Sequence, residues 1–569
     1  MASAAVQCTD RYLLEASNSS DNFDKTSLNK QVVFAVDSNN GSYSNGQVVI
    51  DTTNQLGGNN GAASLKEGYI VSPFIVTAKN TAALNNSALN ALSIGLKANV
   101  GNVLDRCDIS INGKSVVAGQ NYTNFWNNVR LQYDTANSYS AKMGGTNLLY
   151  PDDSFPLYSA TAAGSGDGYS NTNINPLSVF NTSSSTSPYL YNSGYAKRVL
   201  LASNTVVSSG NMFNWPSQTS AKVQTNMTQN GKCYFIPGVG TAGSLNGTWI
   251  YFIKLQLIDI HPIFQEIDLV CNPQVRLTLY FNVGSLYINT GSASTMSLNS
   301  VTLTGGNTTP ILISSCDSSN PNISKFNATA QTQALQVAWG VVNNTLQNGG
   351  SYLPYQQCRL YLPFYQLTPD NMRMLIEKPI KKIIYNDVYI QQFAGQANSN
   401  GQSFTLSVQS TLPNIQYITL LPYVSAAAST YATATNINEF ASPFDTAPFT
   451  TAPGAGIYNL QCIVGSTPLY PSPINYDWNM FLDEVSNIFA INGSSDRSIG
   501  NGLIDEIKWS NIYKSWIMDA SRISSDIRQN VTITGQLQSD QALDFYLNIA
   551  YRRSFNLNRI TCELTDQQN

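Results

Sequence analysis

Short runs in which apolar and polar side chains alternate recur along almost the whole chain, and most are closed by Gly, Asn, Asp or Pro. Such a run has one face to bury, so it must pair with others into sheets, and the sheets must stack. The spacing predicts strands at 31–36, 47–50, 69–77, 92–97, 108–112, 129–133, 233–237, 249–260 and 274–282. A second series is predicted at 300–304, 311–314, 334–342, 359–363, 380–385, 388–393, 404–409, 415–422, 457–465, 531–536, 542–551 and 558–563. Asn386-Asp387 sits between two of these runs and reads as a hairpin turn. With 569 residues, one hydrophobic core is not enough.

Two long stretches interrupt the pattern. Residues 135–230 are rich in Ser, Thr, Gly and Asn, and read as an elaborated excursion with scattered aromatics (Phe155, Tyr158, Phe180, Tyr189, Tyr191, Phe213, Trp215). Residues 424–456 form a second excursion. Residues 283–296 are mostly small and polar and read as a joint. Each side of it holds about eight strands and one dominant insertion. The expected fold is all-β, a tandem or double jelly roll of two eight-stranded antiparallel sandwiches. The expected divisions are an N-terminal arm at 1–29, a first jelly roll at 30–290 and a second at 291–569. Three helices are expected in the second half. One opens at Thr368-Pro369-Asp370 and runs through Glu377. One carries the stripe Phe481, Leu482, Val485, Ile488, Phe489 and ends by Gly493. The third carries Ile504, Trp509, Ile512, Tyr513 and Trp516, so helices occupy about 475–520.

Composition narrows the function classes. Only 11% of residues are charged, about half the usual share, and the net charge is −4. Roughly one residue in nine is Asn. This balance gives no charge-driven grip on nucleic acid or on an anionic membrane. Cysteines stand at 8, 107, 233, 271, 316, 358, 462 and 562, with no short ligand spacing, and are expected as free thiols. The first residues lack a basic stretch followed by an apolar one, so a cytosolic protein without a signal peptide is expected.

Few residues invite chemistry. His261, the single histidine, lies near Glu266 and Asp268 and could act as an acid or base. No nucleophile partners it in the sequence, and a turn histidine before Pro262 is the simpler reading. Arg373, Lys378, Lys381 and Lys382 form a basic cluster that could meet an acidic partner or DNA. Isoleucines interleave with the lysines, so a guarded edge strand explains them as well. Asp152-Asp153 and Asp505-Glu506 could seed cation sites, or simply be loop and first-turn charge. The Gly-rich stretch 162–168 lacks the strand–helix frame of a phosphate loop. No catalytic, cofactor-binding or metal residue is assigned, and no enzyme activity is expected.

One ordered set of segments is more specific. CRLYLPFYQLTPDNMRMLIEKPIKKIIYNDV (358–388) is followed by NIQYITLLPYV (414–424) and SPFDTAPFTTAPG (442–454). IYNLQCIVGSTPLYP (457–471), INYDWNMFLDEVSNIFAING (474–493) and GLIDEIKWSNIYKSWIMDASR (502–522) come next. This order resembles the double jelly-roll major capsid proteins of Polinton-like viruses and virophages over roughly 358 to 563. In the first half the likeness rests on 261–282, which looks like the strand closing the first jelly roll. The resemblance implies a virion protein whose homotrimers are pseudo-hexameric capsomers tiling an icosahedral capsid around double-stranded DNA. It implies neighbouring capsomers, penton and minor or cement proteins as partners, and no sequence-specific contact with nucleic acid. It also implies that 135–230 and 424–456 face outward or line the trimer seam. A β-sandwich adhesin or receptor-binding surface protein, and a β-sandwich carbohydrate-active enzyme, are the alternatives that the composition allows.

Overall fold

The structure, a computed structural model, describes residues 27–38, 43, 45–58, 61–80, 92–152, 194, 198, 233–237, 245–290, 296–315, 333–341, 357–396, 401–427, 430–431, 434–451, 455–488, 502–523, 525–539 and 541–568. Residues 1–26 of the expected arm, most of the excursion at 135–230, the stretch 162–168, and Cys8, Asp153, Cys316 and Gly493 lie outside the described residues, while 27–29 of that arm are the start of a strand.

The first half contributes β1 (Ser27–Val36), β2 (Gln47–Asp51), β3 (Tyr69–Asn80), β4 (Leu104–Ile111), β5 (Lys114–Val117), β6 (Leu245–Gln256) and β7 (Val275–Phe281). It continues through β8 (Val283–Thr290), β9 (Met296–Gly305), β10 (Gln333–Gly340) and β11 (Arg359–Leu367). Sheet one has the order β1-β11-β3-β6, and sheet two the order β2-β7-β4-β5. All these pairs are antiparallel. The alternation is what stacks them. Val48, Ile50, Ile109, Leu277 and Leu279 point inward from sheet two, and Ala35, Ile70, Leu255 and Leu360 from sheet one, all buried in one apolar cluster.

The strand that completes sheet one is therefore β11, which pairs with β1 along its whole length, from Val36↔Arg359 to Ser27↔Leu367. This corrects the expected boundary at 290/291, which falls inside the first sandwich. It also corrects the reading of 261–282 as the closing strand. What was read as a joint contributes to β8 and β9, which pair with each other, while β10 pairs with β8 and with the Ile75–Asn80 end of β3. Local pattern cannot reveal this, because 77 residues separate β7 from β11 (282 to 358).

The second half holds β12 (Ile380–Gln396), β13 (Gln402–Ser407), β14 (Ile415–Val424), β15 (Gly456–Val464), β16 (Thr467–Pro468), β17 (Trp516–Asp519), β18 (Val531–Gln538) and β19 (Leu543–Asn558). Sheet three runs β12-β19-β14-β17 and sheet four β13-β18-β15-β16. Numbering the eight strands of each sandwich from one, both have the orders 1-8-3-6 and 2-7-4-5. That shared permutation is a jelly roll, and the chain makes it twice.

Four local expectations fail. The strand predicted at 558–563 is a turn after β19, closed by the Cys562 amide donating to the Asn558 carbonyl at 2.8 Å. Asn386-Asp387 is not a turn, because β12 is one continuous strand whose Asn386 and Asp387 pair with Arg552 and Tyr551 of β19. Sheet pairing overrides the turn preference of the two residues. The predicted strand at 129–133 lies in a helix, α1 (Thr123–Asp134), whose Phe125, Trp126, Val129 and Tyr133 are all buried at helical spacing. A second helix, α2 (Asn137–Asn147), follows at the start of the excursion. In the second half α3 (Pro369–Glu377) and α4 (Trp478–Ile488) form where expected, but α5 is only Glu506–Asn511 and Trp516 already belongs to β17. Among the described residues no helix is long and apolar enough to cross a membrane.

Candidate functional site: the outer faces of the two equivalent sheets

Each sandwich has a sheet face turned away from its own core, and the two equivalent faces have different fates. On sheet three the outward side chains include Val388, Tyr417, Ala550 and Tyr546, since Val388 and Tyr417 both pair with Ala550. Helix α1 of the first half lies on this face. Trp126 packs with Val388, Tyr417 and Ala550, and its Nε1 donates to the Tyr417 hydroxyl at 2.8 Å. Tyr122 and Phe125 meet Tyr546 with ring centroids 4.9 Å and 5.0 Å apart, and Phe440 completes the aromatic cluster. Covering an apolar face in this way joins the two sandwiches into one chain-wide core contact.

The segment 436–451 fills the rest of the junction. Phe440, Phe444, Ala447 and Phe449 are buried there, and Thr309 and Ile313 of the first half donate backbone hydrogen bonds to Phe440 and Pro443. This part of the 424–456 excursion, expected to face outward or to line the trimer seam, is an internal spacer between the halves. Its carboxylates Glu439 and Asp445 are buried near Lys97, whose ammonium donates to the carbonyls of Phe440 (3.3 Å) and Ala447. Burial pulls the Lys97 ammonium below its ordinary range although Asp445, Asp152 and Glu439 oppose this, and burial with Asp445 nearby pushes the Glu439 carboxyl up. Asp152 accepts from Arg198 at 2.7 Å in a fully buried ion pair.

His261 also belongs to the junction. It is buried, its Nδ1 accepts from the Ile263 amide at 3.2 Å, and its Nε2 lies 3.7 Å from Asp387 Oδ1. Arg553 donates to Asp387 Oδ2 at 2.9 Å. Burial pushes the Asp387 carboxyl up, but His261 and Arg553 outweigh it and hold it below the usual carboxylate range. Burial lowers the His261 pKa more than Asp387 raises it. A small cavity borders these groups, lined by Asp105, Gln120, Asn127, His261 and Asp387 among others. The lining also includes Cys107 and Thr123; burial pushes the Cys107 thiol up, and the Thr123 hydroxyl donates to the Gln120 carbonyl at 2.6 Å. Expected neighbours Glu266 and Asp268 are not at this site. Instead they bind Lys381, which donates to the Glu266 carbonyl at 2.9 Å and pairs with Asp268.

The other candidates are ordinary. Arg373 pairs with Glu377 one helical turn on, at 3.6 Å and well exposed. Asp505 caps α5 by accepting from the Lys508 amide at 2.8 Å. Lys378 and Lys382 are exposed beside Ile380 and Ile384. Among the described residues no group of three or more His, Cys, Asp or Glu is placed to hold a metal ion. Cys107, Cys271, Cys358, Cys462 and Cys562 are free thiols.

On sheet one the outward face is left exposed by the described residues. Phe34, Tyr361 and Tyr69 are register neighbours on β1, β11 and β3, with centroids 5.8 Å and 5.1 Å apart. Lys254 lies over Tyr69 at 4.0 Å, Arg359 over Phe34 at 5.0 Å and Lys30 over Tyr365 at 4.9 Å. Phe34 is 48% exposed, and Leu28 and Val32 on the same strand are exposed as well. Sequence reasoning missed this site. The signal was present in Val32 and Phe34, apolar residues that alternate with the core-facing Val33 and Ala35, so that the strand carries apolar side chains on both faces.

The class of architecture is thus a tandem jelly roll with one outer face sealed within the chain and its equivalent exposed. No family model and no curated protein matches this chain. Solved structures similar to it include the mavirus major capsid protein, at 11% identity, covering 94% of this chain and 89% of that one with a TM-score of 0.44. A chain of the Sputnik virophage is 12% identical, with 95% and 88% covered and a TM-score of 0.45. A chain of the PBCV-1 virus capsid is 8% identical, with 96% and 98% covered and a TM-score of 0.37. These superpositions are loose, and the fold assignment rests on the strand orders of the chain itself.

Proposed function

We propose that this chain is a structural major capsid protein, not an enzyme. The observation that carries the reading is the repeated strand order, 1-8-3-6 with 2-7-4-5, made once by residues 27–367 and again by 380–568. Two like but unequal blocks in one chain let three chains close a ring of six blocks with heterologous contacts. Such a trimer is a pseudo-hexameric tile. Tiles of this kind cover an icosahedral shell in the virion, with penton and minor proteins completing it around double-stranded DNA. The low charge density supports this role, since broad self-association is not opposed by a strong like-charge field. Abundant Asn, Ser and Thr can pair across interfaces without the desolvation cost of ions.

Light scattering on the purified full-length chain tests the reading. The expected result is a stable species of three times the chain mass, with a six-cornered outline by electron microscopy. A monodisperse monomer at all concentrations would overturn it.

A further inference from the structure

We infer that the open outer face of sheet one, centred on Phe34, Tyr361 and Tyr69, is the docking surface for the α4–α5 segment of a second copy of this chain. The inference rests on the capsid reading and adds the contact that closes the ring. Its argument is the internal equivalence of the halves. In the first sandwich the connection between the fifth and sixth strands, β5 and β6, begins with α1. That helix seals the outer face of sheet three, the 1-8-3-6 sheet of the second sandwich. In the second sandwich the same connection, β16 to β17, carries α4 and α5. If the contact between successive blocks repeats around a ring, these helices must meet a 1-8-3-6 sheet of the first-sandwich type. The one in their own chain is already on the other side of the α1 junction, so the partner is the next chain.

Surface chemistry agrees on both sides. The open face carries Lys30, Lys254 and Arg359 around its aromatic row, with Glu67 paired to Lys30 at 2.7 Å. The helical segment exposes Leu482 (45%) and Ile507 (65%), together with the exposed acids Asp477, Asp483, Asp505 and Glu506. An apolar centre with a basic border thus faces an apolar centre with an acidic border. That is the arrangement of a specific interface, in which burial gives affinity and charge gives register. The face on sheet three shows what a filled site looks like: its Tyr417 and Tyr546 are buried under α1, whereas Phe34 is half exposed.

Two surface substitutions test this, Phe34→Glu and Leu482→Glu, both at exposed positions where folding is preserved and checked by circular dichroism and thermal melting. Each variant alone is expected to be monomeric by light scattering. Mixed one to one, they are expected to form a dimer and nothing larger. The intact sheet face of L482E receives the intact helical face of F34E, while the remaining faces are both damaged. Trimers that persist in either variant, or a mixture that stays monomeric, would overturn the inference. Wild-type chain that is itself monomeric would defeat the capsid reading instead, so the two failures are distinguishable.

Discussion

At the scale of single residues, the junction between the halves is unusual for the charge it buries. Asp259 lies next to Arg130, accepts from Asn147 Nδ2 at 3.2 Å, and has its carboxyl pushed up to about 6 by burial, which outweighs Arg130. A raised carboxyl binds its proton more tightly in the folded state than in the unfolded one. Its contribution to stability is therefore full below the ordinary carboxylate pKa and is lost as pH rises through about 6. Asp259→Asn should remove this dependence. Relative to the variant, the wild type is expected to lose about 1–3 kcal/mol between pH 4 and pH 8. Urea denaturation at the two pH values measures it, and a difference that does not change with pH would contradict the assignment. The sequence could not single out Asp259 or Lys97. Each becomes unusual only through burial by the folded chain, which outweighs the opposing charges of Arg130 and Asp445.

At the scale of elements, α1 is the piece that makes two sandwiches one body. Trp126 is fully buried, packs on sheet three and donates to Tyr417. Trp126→Ala should cost about 3–5 kcal/mol, as for other large aromatic truncations in cores. Hydrogen exchange should rise first in β14 and β12, which Trp126 covers. Equal loosening of sheets two and four would argue that α1 has no special role at the junction. The helix was misread as a strand from 129–133 because those five residues alternate over a window too short to separate the two periods. Reading from Phe125 to Tyr133 shows the helical spacing. The opposite error, a hairpin at Asn386-Asp387, has the opposite cause. A strong local turn signal yields to β19, which supplies a partner for every residue from Ile380 to Phe393.

At the scale of the whole molecule, the halves are similar in plan but not independent. β12 and β19 reach beyond the second sandwich, so that Ile383, Tyr385, Phe555 and Leu557 pack with the first-half core. Separate production of 1–367 and 368–569 should therefore give insoluble or aggregating pieces, each exposing the junction. Co-production should restore a soluble complex, read by size exclusion. A half that is soluble and monodisperse by itself would show that the junction is dispensable.

The sequence by itself determined the class of secondary structure, the count of about eight strands per half and the tandem plan. These follow from side-chain periodicity and turn residues, which are local properties. Only the tertiary structure decided that β11 closes the first sandwich, that α1 and 436–451 lie between the halves, and which outer face stays open. Those outcomes depend on pairings between segments tens to hundreds of residues apart. Many strands carry equally suitable edges, and the choice among them is made by how the complete set of faces can be buried at once.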